Sequence, residues 1–187
     1  MDAATPRHSP DRLTIFLAGL QSGMLGGLWM LAWLGLSDVW RQRSFWSSEN
    51  LTASVFYGSD AIRAGFTVRT LTGAALHLVL YSLLGGLFAL AAGGRARPVR
   101  LLLASLVFAL SWYYFAFRVL WQTVAPLISL LHAERPTMLA HVIFGACLAR
   151  FPLYLPRPPA PAAPPEPEAP VEAVAPDSAG AEDLRQG

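Results

Sequence analysis

The chain has 187 residues, of which 54% are hydrophobic and only 14% charged, a balance too apolar for an ordinary soluble domain of this length. Its net charge of +2 hides a division: residues 1–150 hold twelve Arg against six acids, and residues 151–187 hold two Arg against six acids. Lys is absent, the basic part is the apolar part, and no nucleic-acid motif occurs, so the arginines read as helix-end residues facing a lipid bilayer. A single cysteine, Cys147, excludes an internal disulfide and a cysteine-cluster metal site.

Residues 1–12 form a short polar lead with Pro6 and Pro10. Residues 13–36 then run without Asp, Glu, Lys, Arg or His, which exceeds the roughly 20 residues needed to cross about 30 Å of hydrocarbon. Gly19, Gly23 and Gly27 recur every four residues and line one helix face, where a neighbouring helix can approach closely in lipid. Ser37 and Asp38 are expected to end this span. Residues 37–70 mix charges with aromatic side chains and are expected to form an interfacial loop, in which Ser59 and Asp60 cap a helix running into the next span. Asn50-Leu51-Thr52 matches a short glycosylation acceptor pattern.

The second span covers residues 71–92, with Gly85 and Gly86 as a further close-packing surface, and ends at Gly93 and Gly94. Arg95, Arg97 and Arg100 crowd the short loop that follows, which marks it as cytoplasmic and places both termini on the cytoplasmic side. The third span covers residues 99–121 and is expected to break near Pro126. Glu134, Arg135 and Pro136 read as a turn before a fourth span, residues 137–155, where Gly145 again offers a packing surface. The predicted fold class is therefore an all-α membrane protein, a four-transmembrane-helix bundle. Residues 156–187 are rich in Pro, Ala and Glu and lack aromatics, so they are expected to remain a disordered spacer.

Ionisable side chains inside spans are costly and mark candidate sites. Alternating helix direction brings His77, His141 and Arg118 toward one layer, with Tyr113, Tyr114 and Gln122 as neighbours and Asp60 and Glu134 as partners for the guanidinium. Three readings stay open. The histidines fix helix packing by hydrogen bonds, or they form a path for protons or a small solute, or His77 and His141 ligate a haem b between two helices. No third ligand is placed firmly within the spans for another metal site. No nucleophile and base are spaced for catalysis, and no phosphate-cradling loop or HExxH helix is present.

A Gly-rich first span, the second-span stretch ALHLVLYSLLGGLFAL and the last-span stretch LAHVIFGACLAR together resemble the YagU-like bacterial inner-membrane proteins over residues 13–155. The resemblance implies a multi-pass inner-membrane location and one histidine on each even-numbered helix, met here by His77 and His141. It implies no established biochemical activity, although acid tolerance has been suggested for the family. The expected role is non-enzymatic: a structural, accessory or stress-related subunit that contacts lipid and either other membrane subunits or further copies of itself. Transport through the His/Arg layer and haem-based electron transfer are the alternatives, and no cofactor is expected otherwise.

Overall fold

A computed structural model of the chain describes residues 11–93 and 97–156. The expected disordered tail, nearly all of the polar lead, and Arg95 of the basic loop lie outside the described residues. Among the described residues the regular structure is entirely helical. Three helical stretches are long and apolar enough to cross a membrane: α1 (Arg12–Trp40), α4 (Val68–Ala92), and the stretch Pro98–Val124 that begins with α5 (Pro98–Phe115).

Helix α1 starts where the Asp11 carboxylate accepts a hydrogen bond from the Thr14 backbone N–H at 2.8 Å, satisfying one of the free donors of the first turn. It continues to Trp40 rather than ending at Ser37 and Asp38. Ser37 turns its hydroxyl back onto the Leu34 carbonyl, and Asp38 is buried and engaged beyond the helix. The segment expected to be an interfacial loop holds α2 (Ser47–Tyr57) and the single turn α3 (Ser59–Ile62). Asp38 creates the first of these by accepting from the Ser48 backbone N–H at 3.0 Å and its hydroxyl at 2.6 Å. Ser59 and Asp60 do not cap the second span. Thr67 does, in a reciprocal capping box with Thr70.

Helix α4 closes at Gly93, whose φ of +68° is the left-handed conformation that glycine adopts without steric cost. Beyond α5 the chain passes through a π-helical turn, Ala116–Leu120, into α6 (Trp121–Val124), and Pro126 opens α7 (Pro126–Leu131) after an extended Ala125. Glu134, Arg135 and Pro136 form the first turn of α8 (Glu134–Leu148) rather than a separate turn. A proline is tolerated there because first-turn N–H groups have no helical acceptor. At 15 residues α8 rises only about 22 Å, and Arg150 and Pro152 fall in the short 3₁₀ segment around Phe151–Tyr154.

The packing order places α1 between α4 and α8, with α5 on the far side of α8 and α2 laid against α4. Glycine sets the α1–α4 seam. A Cβ on Gly19 would stand 2.5 Å from the Gly85 carbonyl oxygen, and one on Gly85 would stand 2.6 Å from the Gly23 Cα, so the two backbones touch. Gly86 lies under the Phe16 ring, and Gly27 lies beside Tyr81 and His77. Gly145 joins α8 to α5 at Leu106, and Gly26, which the four-residue count omits, receives Phe144 of α8. Polar bonds pin the same elements. The Ser22 hydroxyl donates to the Cys147 carbonyl at 2.8 Å, and the Trp33 indole donates to the Pro136 carbonyl at 3.0 Å. Outward-facing Leu17, Val79, Leu83, Leu87, Leu103 and Val107 leave an apolar girdle suited to acyl chains.

Candidate functional site

On α4, His77 and Tyr81 are four residues apart and so project from one face, toward α2 and α8. From α2 comes Glu49. It reaches α4 because Gly73 has no side chain there: a Cβ on Gly73 would collide with the Glu49 carbonyl oxygen. The α2–α4 contact is locked next to it by Asn50, whose amide donates to the Ala64 carbonyl at 2.6 Å and whose carbonyl oxygen accepts from the Thr70 hydroxyl at 2.6 Å. Asn50 is 1% exposed and its amide is in use, so the acceptor pattern at 50–52 is a structural contact and not a glycosylation site.

Glu49 Oε1 lies 3.6 Å from His77 Nδ1, with both side chains buried. That separation is an electrostatic contact, too long for a hydrogen bond. Among the described residues, neither carboxylate oxygen of Glu49 nor Nε2 of His77 has a hydrogen-bond partner. Burial, and secondarily the negative charge of Asp38, pushes the Glu49 carboxyl up to about 7. Asp38 lives in the opposite setting. It accepts both bonds from Ser48, and Arg43 and Arg41 lie 3.6 Å and 4.0 Å from its Oδ1. One buried acid has hydrogen-bond and cationic partners, and its neighbour does not.

The other histidine is fully engaged. His141 Nδ1 lies 2.8 Å from the Thr137 carbonyl, which only accepts, so Nδ1 carries the proton. Its bare Nε2 therefore accepts from the Tyr81 hydroxyl at 2.9 Å. Tyr81 stands between the two histidines, its ring centroid 4.7 Å from His77 and 5.7 Å from His141. A cavity of about 70 Å³ connects them to Asp38, Arg43 and Ser48 at the end of α1. That is room for a few water molecules and far too small for an organic ligand.

His77 and His141 thus meet in one layer, linked by Tyr81. Arg118 is not among them. It is carried outward on the π-helical turn, is highly exposed, and faces Glu134 at 3.9 Å in a separate cavity with Tyr113, Tyr114 and Gln122. The pair of imidazoles does not suit haem ligation in this arrangement, since both nitrogens of His141 are occupied and a tyrosine fills the space between the rings. Glu49, Asp38, Tyr81 and His132 belong to the neighbourhood without having been singled out in the sequence. Of these, only Tyr81 had a readable signal, its position four residues beyond His77.

Among the described residues the chain is all-helical, with three helices long and apolar enough to cross a membrane and a buried acid–base cluster where α2, α4 and α8 meet. No family model matches the chain, and no curated protein and no solved structure matches it.

Proposed function

We propose that the chain is a non-enzymatic membrane protein, an accessory or stress-related subunit, whose Glu49–His77 pair takes up a proton from one side of the bilayer. The observation that carries this reading is the pair itself. A carboxyl and an imidazole are buried 3.6 Å apart, with both carboxyl oxygens and one ring nitrogen lacking hydrogen-bond partners among the described residues. Leaving such groups buried is costly, and one proton shared between them reduces the cost. The small adjoining cavity suits water and protons better than an organic substrate. Beyond Tyr81, the backbone contact of Gly19 and Gly23 with Gly85 closes the α1–α4 seam, which favours proton binding over conduction through the bundle.

In the topology we favour, α8 and the 3₁₀ segment after it form the fourth span. Together they rise roughly 30 Å, enough for a thin or locally compressed bilayer. Arg97 and Arg100 support a cytoplasmic loop between α4 and α5, with both termini on the same side of a bacterial inner membrane. Proteoliposomes with a trapped pH indicator test the choice between binding and transport. An imposed pH gradient should decay no faster than in protein-free vesicles; sustained flux that disappears in a His77→Ala, His141→Ala variant would show a transport protein instead.

A further inference from the structure

A second cavity, of about 280 Å³, lies on the outer flank of the third membrane helix, where the π-helical turn meets α7 and the start of α8. Tyr114, Arg118, Gln122, Ser129, His132 and Glu134 line it. The Ser129 hydroxyl donates to the Phe117 carbonyl at 3.2 Å and ties α7 to the π-helical turn on one side of the cavity. The His132 ring stacks on Phe117, with centroids 4.1 Å apart, and the two rings form the wall shared with the acid–base cavity.

The charges in this cavity are open. Arg118 Nη2 and Glu134 Oε1 are 3.9 Å apart, and the side chains are 69% and 70% exposed. That distance exceeds a hydrogen bond, so the guanidinium keeps its donors and the carboxylate its acceptors. Leu130 lines the cavity and is exposed, and Phe115 and Val119, close to Arg118 along the chain, are exposed apolar side chains of the kind that lie against acyl tails.

We infer that this cavity holds the headgroup of a zwitterionic phospholipid with a primary amine, its phosphate on Arg118 and its ammonium on Glu134, its tails running over Phe115, Val119 and Leu130. One fixed cation and one fixed anion call for a ligand carrying both signs. A purely anionic headgroup can set its phosphate on Arg118 but brings no cation to pair with the Glu134 carboxylate beside it. A trimethylammonium group has no N–H to donate to the carboxylate. A phosphate and an ammonium joined by two carbons present their charges at the close spacing that Arg118 and Glu134 offer, and Arg binds phosphate through paired donors. The volume sits at the small end of ligand sites and suits a headgroup rather than a whole lipid.

Native mass spectrometry of the full chain, released from micelles holding equal phosphatidylethanolamine, phosphatidylcholine and phosphatidylglycerol, tests this directly. The wild type should retain phosphatidylethanolamine about tenfold over the other two, and Arg118→Ala or Glu134→Gln should each bring that preference near unity. Arg118→Lys, which keeps the charge, should keep most of it. Both sites are exposed, so unchanged melting temperatures will show that the variants are folded. Equal retention of the three lipids, a preference for phosphatidylglycerol, or an undiminished preference in both charge-removing variants would overturn the inference. Excess free phosphoethanolamine separates the sources of this chemistry: displacement of the lipid makes the soluble zwitterion a ligand in its own right, and retention makes the membrane lipid the ligand.

Discussion

Replacing Glu49 by Gln removes a charge while keeping the shape of the side chain, and the structure fixes how the effect must depend on pH. The carboxyl titrates near 4.5 when solvated and near 7 in the fold, because α2 holds it buried and Asp38 adds a like charge. Below 4.5 it is neutral whether the chain is folded or not, and the fold is at its most stable with respect to this group. As pH rises through about 7 the folded chain must ionise a buried carboxyl, and that stability is lost. The interval corresponds to about 3 kcal/mol, which for a chain of this size is a shift of about 6–12 °C in melting temperature. Intrinsic tryptophan fluorescence during heating in mild detergent, at pH 5 and pH 8, is a suitable assay. The Glu49→Gln variant should melt close to the wild type at pH 5 and well above it at pH 8. A difference between the two proteins that is the same at both pH values would refute the reasoning, because it would mean that Glu49 is not neutralised by folding.

Other variants probe the packing and the hydrogen-bond chain. Gly85→Ala places a Cβ 2.6 Å from the Gly23 Cα, so α1 and α4 must separate; a loss of about 1–3 kcal/mol is expected in a detergent melt, whereas Gly58→Ala tests only the strain of a positive φ with nothing near the new Cβ. Tyr81→Phe leaves the buried Nε2 of His141 without its donor and should cost about 1–3 kcal/mol, read by the same melt. Asn50→Ala removes the link from α2 to Thr70 and to the Ala64 carbonyl. It should raise amide hydrogen exchange in α2 before any change is seen in α1.

The apolar runs show plainly in the sequence because a spanning helix imposes a length and an absence of charge that few other structures share. The glycine spacing was equally readable, and Gly19, Gly23, Gly85 and Gly86 do lie where helices touch. The segment between the first two long helices was harder. Ser47 to Tyr57 has no strong apolar stripe, and its helical state depends on Asp38, on Gly73 and on the Asn50–Thr70 bond, all of which are contacts between elements distant in sequence. Glu49 is illegible in the sequence for the same reason: nothing local distinguishes a buried glutamate from a headgroup one. Arg118 lies on the π-helical turn, exposed and facing Glu134, a partner that its depth near the end of the third span makes legible, rather than beside the two histidines. Alternating helix direction sufficed to bring His77 and His141 together, but Tyr81 between them came into view only with the fold.

Infrared spectroscopy of the wild type and Glu49→Gln in lipid addresses the buried proton most directly. The account predicts a carbonyl stretch of a protonated, buried carboxyl at pH 5 that fades with a midpoint near 7 and is missing from the variant at every pH. A Glu49 already ionised at pH 5, with no band that the substitution removes, would contradict the claim that the Glu49–His77 pair is where this protein takes up a proton.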